Sequence, residues 1–288
     1  MRILGINCMN HDAAMAVVDY SSGIGEVLWA AHAERYSKVK NDHYLNQAIV
    51  DEAMTYGPFN KVVYYEKPLL KKTRQMYAGQ WSDAFSYTEM PQWHLDHFKI
   101  KIDEYVKHHD SHAAAGYFTS PFREATILTV DAIGEWDTVS ISTAAKIWIE
   151  RKETIKYPHS IGILYSAFTH RCGLKPAEEE YILMGMAAYG EPKYKEDIYN
   201  DFVHQSPFKL KQNLHRGLSD WHPEADPMDL AASIQSVTEE CLADLWKRAS
   251  KYGSRNLVYA GGVALNCAAN KVLANMGLFD NIWIIPNP

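Results

Sequence analysis

The order of apolar segments along this chain runs through once and then starts again. Segments 2–8, 14–20 and 25–32 are separated by Asn10-His11-Asp12 and by Ser21-Ser22-Gly23, turn-forming clusters that predict a meander of three strands. A helical stretch near 43–57 follows, then a strand at Lys61–Tyr65, a weakly patterned region over 68–98, a strand near 101–106 and a helix at about 109–119. At Ala125 the order begins afresh, with strands 125–131, 138–143 and 146–150, the first two joined through Gly134 and Asp137. Helices near 160–172, 178–190 and 229–250, a strand at Asn256–Ala260, a helix over 263–275 and a strand at Asn281–Ile285 complete it. Two successive βββ-α-β-α-β units imply an internal duplication of α/β class, each half a mixed five-stranded sheet covered by helices. The expected lobes are 1–124 and 125–288, with ligands in the crevice between them near strand ends. The last strand is followed at once by Pro286-Asn287-Pro288, where the second unit still lacks its final helix, so the expectation is a fragment of a longer protein.

Composition narrows the function classes. A chain of 288 residues with 47% hydrophobic, 22% charged and 12% aromatic content folds as a globular protein rather than as a disordered or coiled-coil chain. Its 29 basic and 35 acidic residues leave a net charge of −6, with no positive field to hold a nucleic-acid backbone. Cys8, Cys172, Cys241 and Cys267 stand far apart without a C-x-x-C pair, which disfavours both a disulfide framework and a zinc knuckle. The amino terminus does not read as a signal peptide, and no stretch reaches the roughly 20 apolar residues of a membrane span, so the expected compartment is the cytoplasm.

Four segments carry potential chemistry. In Lys107-His108-His109-Asp110-Ser111-His112, a helix starting near 108 sets His108 and His112 one turn and about 6 Å apart along the axis, a spacing at which two imidazoles reach one metal ion. Position 109 is His where a zinc protease needs Glu, which disfavours that class. The bland alternative is a solvated polar helix start with His and Asp as caps. Asp131 ends an apolar strand before the turn Gly134-Glu135, a place for a cation or a phosphate, or else an ordinary capped β-turn. Gly261-Gly262, between a strand and a helix, lets a ligand approach the backbone; it is neither G-x-G-x-x-G nor a P-loop, and a tight βα turn explains it equally. His11-Asp12 lies in the first turn, where His11 is a possible base, and Lys38 and Lys40 offer an anion grip or a solvated charge run.

Taken together, these segments resemble the O-carbamoyltransferase family of nodulation-factor and antibiotic biosynthesis, whose metal domain belongs to the duplicated actin/sugar-kinase (ASKHA) superfamily. Seven segments carry the resemblance in order: His11–Ala14, Glu34-Arg35 with Lys38 and Lys40, His108–Ala114, Asp131–Thr138, Ser160–Tyr165, Glu180–Gly190 and Gly261–Asn266. The resemblance implies a metal, usually iron(II) or another divalent ion, held by His108, His112 and Asp131. It places a fourth ligand just beyond Pro288. It implies nucleotide contacts from Gly134, Glu135, Gly261, Gly262 and Asn266, and gives His11 the role of general base. The implied reaction is transfer of a carbamoyl group from carbamoyl adenylate to a hydroxyl of a sugar-like small molecule, with the metal polarising the carbonyl. The longer enzyme makes that adenylate from ATP and carbamoyl phosphate on a YrdC-like domain missing from this chain.

The sequence departs from the family pattern at Ala14, Ala132 and Ile182, where the family commonly has Ser, Gly and Lys. Ala132 narrows backbone freedom beside Asp131. Regions 68–98 and 205–228 are the expected acceptor-selecting segments. Two rival readings remain: a relative that transfers threonylcarbamoyl to tRNA, which the acidic balance disfavours, and a truncated nucleotide- and metal-binding module without turnover.

Overall fold

Alternating burial builds the first sheet. In β1 (Arg2–Asn7) Leu4 and Ile6 point inward, and in β2 (Ala14–Asp19) Met15 and Val17 do. β3 (Glu26–His32) completes the meander, while β4 (Lys61–Tyr64) and β5 (Glu104–Tyr105) add parallel to β1 and to β4, giving the order β3-β2-β1-β4-β5. A short α1 (Glu34–Ser37) follows β3. Asn46 then caps α2 (Gln47–Met54) by accepting from the Ile49 N–H, and Ile49, Val50 and Ala53 are buried in the core of this sheet.

The second sheet repeats the plan. It comprises β6 (Glu124–Gly134), β7 (Asp137–Ala145), β8 (Trp148–Lys156), β11 (Asn256–Ala260) and β12 (Asn281–Trp283), and its order β12-β11-β6-β7-β8 is the first order read from the other edge. The pairing signs match as well: antiparallel within each meander, parallel for the two strands added to it. The fold is the duplicated actin/sugar-kinase-like architecture that the resemblance implies. In this computed structural model, residues 1–204, 206–218 and 220–286 are described. The chain divides into two compact units, Met1–Ser111 and His112–Pro288, a division inside α6 (His108–Phe118) where the sequence restart suggests 124/125.

β6 is buried from Ala125 to Val130 on both faces, as a near-continuous apolar strand requires. On one face Gly116 of α6 meets Val258, where a Cβ would come within 2.6 Å of a Val258 methyl. On the other, Trp246 of α10 (Pro227–Ser250) packs edge-on against Tyr259 at 6.1 Å. Three further helices, α7 (Ile161–Arg171), α8 (Glu180–Met186) and α9 (Lys195–Asp201), precede α10, with a small hairpin of β9 (Val203–His204) and β10 (Lys209–Leu210) after α9. α11 (Cys267–Met276) joins β11 to β12. Among the described residues, no helix is long and apolar enough to cross a membrane.

Region 68–98 is not irregular: it forms α3 (Pro68–Tyr77), α4 (Trp81–Phe85), α5 (Pro91–Leu95) and a 3-10 turn. Its helices are short and expose Leu69, Tyr77, Trp81 and Phe85, which breaks the apolar stripe that betrays a helix. β6 also runs three residues beyond the expected end at Asp131.

Candidate metal centre

α6 places its first and fifth residues on one face. His108 and His112 therefore stack one turn apart, His108 buried at 7% exposure and His112 half-buried. His109 is buried too, at 1%, which removes the reading of this segment as a solvated helix start.

Asp131 comes from β6, at the point where its ladder with β7 breaks. Regular pairing ends at Val130↔Val139 and resumes only at Gly134↔Asp137, so Asp131 opens an irregular stretch inside the strand. Its Oδ1 accepts the Ala132 N–H at 2.8 Å and the Gly262 N–H at 3.4 Å. Oδ2 faces the Nε2 of His112 at 3.6 Å. One ligand atom from each of His108, His112 and Asp131 lies within 4.8 Å of the other two. Two imidazoles and one carboxylate are the donor set that suits iron(II) or a similar divalent ion and leaves coordination positions open, so these residues fit the ion that the resemblance implies.

The glycine turn belongs to the same neighbourhood. Gly261 has φ of +89°, and a Cβ there would sit 2.3 Å from the Val130 carbonyl oxygen, so only glycine lets β11 turn away this close to β6. That close approach brings the Gly262 N–H to the Asp131 carboxylate. The sequence reads Gly261-Gly262 and Asp131 as separate motifs; parallel pairing of β11 on β6 makes them neighbours. Behind them Ser160 caps α7, accepting from the Ile163 N–H at 3.0 Å and donating to the Ala132 carbonyl at 2.6 Å. Gly162 gives Ala132 its room, since a Cβ at 162 would come within 2.6 Å of the Ala132 Cα.

The other expected site residues are distributed. Gly134 and Glu135 form the β6–β7 corner, where Glu135 is buried and takes the left-handed conformation at φ +53°. Asn266 caps α11 through the Ala269 N–H and exchanges two hydrogen bonds with Gln235, whose Oε1 also accepts from the Tyr165 hydroxyl. Its amide is thereby already engaged. His11 is exposed on the β1–β2 turn, its Nδ1 2.8 Å from Asp12 Oδ2, and that hydrogen bond holds the Asp12 carboxyl below its usual range. Lys38 donates to the Arg35 carbonyl. The fourth ligand expected beyond Pro288, like Asn287 and Pro288 themselves and Gln205 and Ser219 of the acceptor region, lies outside the described residues.

Sequence reasoning missed Glu66, which stands two residues past the end of β4, is buried, and faces His108. A carboxylate immediately after an apolar strand is the signal that singled out Asp131, and it is present at Glu66 too.

The sequence profile described as carbamoyltransferase N-terminus matches residues 64–288. The chain belongs to that family. An uncharacterized protein of Synechocystis sp., sll1178, is 34% identical over 99% of this chain and 54% of its own length. The nodulation protein NolNO of Sinorhizobium fredii is 23% identical, over 97% of this chain and 44% of its own length. This carbamoyltransferase N-terminus thus spans about half the length of these relatives. Among solved structures, component A of the Acidaminococcus fermentans (R)-2-hydroxyglutaryl-CoA dehydratase superposes with a TM-score of 0.51 at 13% identity, over 99% of this chain and 92% of that one, a likeness of fold alone.

Proposed function

We propose that this carbamoyltransferase N-terminus moves a carbamoyl group from carbamoyl adenylate to a hydroxyl of a sugar-like small molecule. The observation that carries the reading is the convergence of His108, His112 and Asp131 in a chain of this family. These three residues would hold a divalent ion, iron(II) in our reading. Bound there, the ion supplies Lewis-acid polarisation of the carbamoyl carbonyl and stabilisation of the developing oxyanion.

The chain's own residues do the rest. Two main-chain N–H groups fix Oδ1 of Asp131, so its carboxylate is oriented before any ligand arrives. The open turn at Gly261-Gly262 and the Gly134-Glu135 corner line the nucleotide, and Asn266, freed from Gln235, adds a polar contact. His11 accepts the acceptor's hydroxyl proton at Nε2, with Asp12 on Nδ1 fixing the tautomer. The hydroxyl oxygen bonds to the carbamoyl carbon, the bond from that carbon to the phosphate oxygen breaks, and AMP leaves. In a longer protein, ATP and carbamoyl phosphate would supply the adenylate on a separate YrdC-like domain.

The test supplies carbamoyl adenylate and a panel of amino- and deoxysugar alcohols to the iron-loaded chain, and follows AMP release with mass detection of the carbamate. We expect product from at least one acceptor, and a drop of about 100-fold or more in His11→Ala, from the lower end upward of the range for loss of a general base of about 10²–10⁴. Bound metal and nucleotide without AMP release would instead favour a binding module without turnover.

A further inference from the structure

Glu66 is a carboxylate with 5% exposure, and a buried charge must be paired to persist. One oxygen is accounted for: Lys71, in the first turn of α3, donates from Nζ to Oε1 at 2.9 Å. The other oxygen, Oε2, faces His108 Nδ1 at 4.0 Å. The surroundings hold this pair in place. The Tyr65 ring lies 5.2 Å from the His108 ring, and the Ser111 hydroxyl donates to the Tyr65 carbonyl at 2.8 Å, tying the first turn of α6 to the residue before Glu66.

We propose that Glu66 is a positioning residue for His108: its Oε2 accepts a hydrogen bond from the Nδ1–H, which fixes the ring tautomer and presents Nε2 to a divalent cation. The inference rests on the metal reading above. A carboxylate behind a ligating imidazole orients the ring and raises its basicity, and losing such a partner typically lowers metal affinity about 10–100-fold. Lys71 has a separate role, holding the other carboxylate oxygen, Oε1, in place.

The test is a cobalt(II) titration of the full chain, read by visible d–d absorption, with the thermal midpoint of the metal-free protein recorded for each variant. Glu66→Gln is expected to weaken cobalt binding at least 10-fold and to shift the absorption bands. Lys71→Met, which breaks the same ion pair but leaves the carboxylate behind His108, is expected to stay within about threefold of wild type, because the partner lost in it is not the one on the imidazole. If Glu66→Gln does not fold, Glu66→Asp serves, retracting the carboxylate by one methylene; it is expected to cost about 10-fold, the lower end of that range. Wild-type affinity and spectrum in the Glu66 variant overturn the proposal, as does an equal loss in Lys71→Met. Failure of the wild-type chain itself to bind cobalt overturns the metal reading on which the proposal stands, and is seen without any variant.

Discussion

Gly261 shows how one residue can join two motifs. Its φ of +89° and the 2.3 Å between a would-be Cβ and the Val130 carbonyl oxygen leave no room for a side chain, and the Gly262 N–H reaches Asp131 because of that turn. Gly261→Ala is therefore expected to destabilise the protein by about 2 kcal/mol or more, from left-handed strain together with overpacking. Urea denaturation checks it, and unchanged stability would mean that the turn relaxes without cost. At this scale the sequence was a good guide to which residue types matter and a poor guide to their partners. His108 and His112 were legible because helical spacing alone stacks them. Glu66 was not, because its partner is 42 positions away in the chain, a separation no local pattern reports.

Elements decide how firmly those residues are held. Ser160 begins α7 and at the same time grips the Ala132 carbonyl, one residue past Asp131, so a helix cap also braces the irregular stretch of β6. Ser160→Ala is expected to cost about 1–2 kcal/mol in denaturant unfolding, as the loss of a helix N-cap does. It should also broaden the amide resonances of Asp131 and Ala132 in NMR spectra of the metal-free protein; sharp, unshifted resonances would show that β6 needs no brace. The same element view explains where sequence patterns failed. The sequence pattern ends β8 at residue 150 because the rest of the strand, Arg151–Lys156, has three charged residues in succession and Ile155 as its one apolar side chain, a composition that reads as loop yet protects an edge strand. α9 buries only Ile198, too little for a periodic signal.

For the molecule as a whole, duplication governs the architecture, and two half-buried histidines bear on its acid sensitivity. Repeated strand order was visible from turn clusters and apolar runs because a meander has short connections; the long insertions between the later strands hide their pairing. A histidine in each compact unit accepts a backbone N–H: His94 from Leu45 in the first, His159 from Leu210 in the second, both at 3.2 Å. Burial pushes both imidazoles below their ordinary value of 6.5. The folded state thus binds fewer protons than the unfolded one, so their contribution to stability is complete above about pH 6.5 and declines as pH falls below it. Unfolding midpoints should hold steady from pH 8 to 7 and drop toward pH 5. His159→Gln, which keeps an acceptor but cannot titrate, should shrink that drop; an identical pH profile would contradict the assignment. The proposed chemistry requires three side chains, His108, His112 and Asp131, to share one ion. Crystals grown with iron(II) and measured at the iron absorption edge test this most directly. We expect a single strong anomalous peak bonded to His108, His112 and Asp131 at about 2.0–2.2 Å. A peak held by other residues, or no peak beside these three, would contradict it.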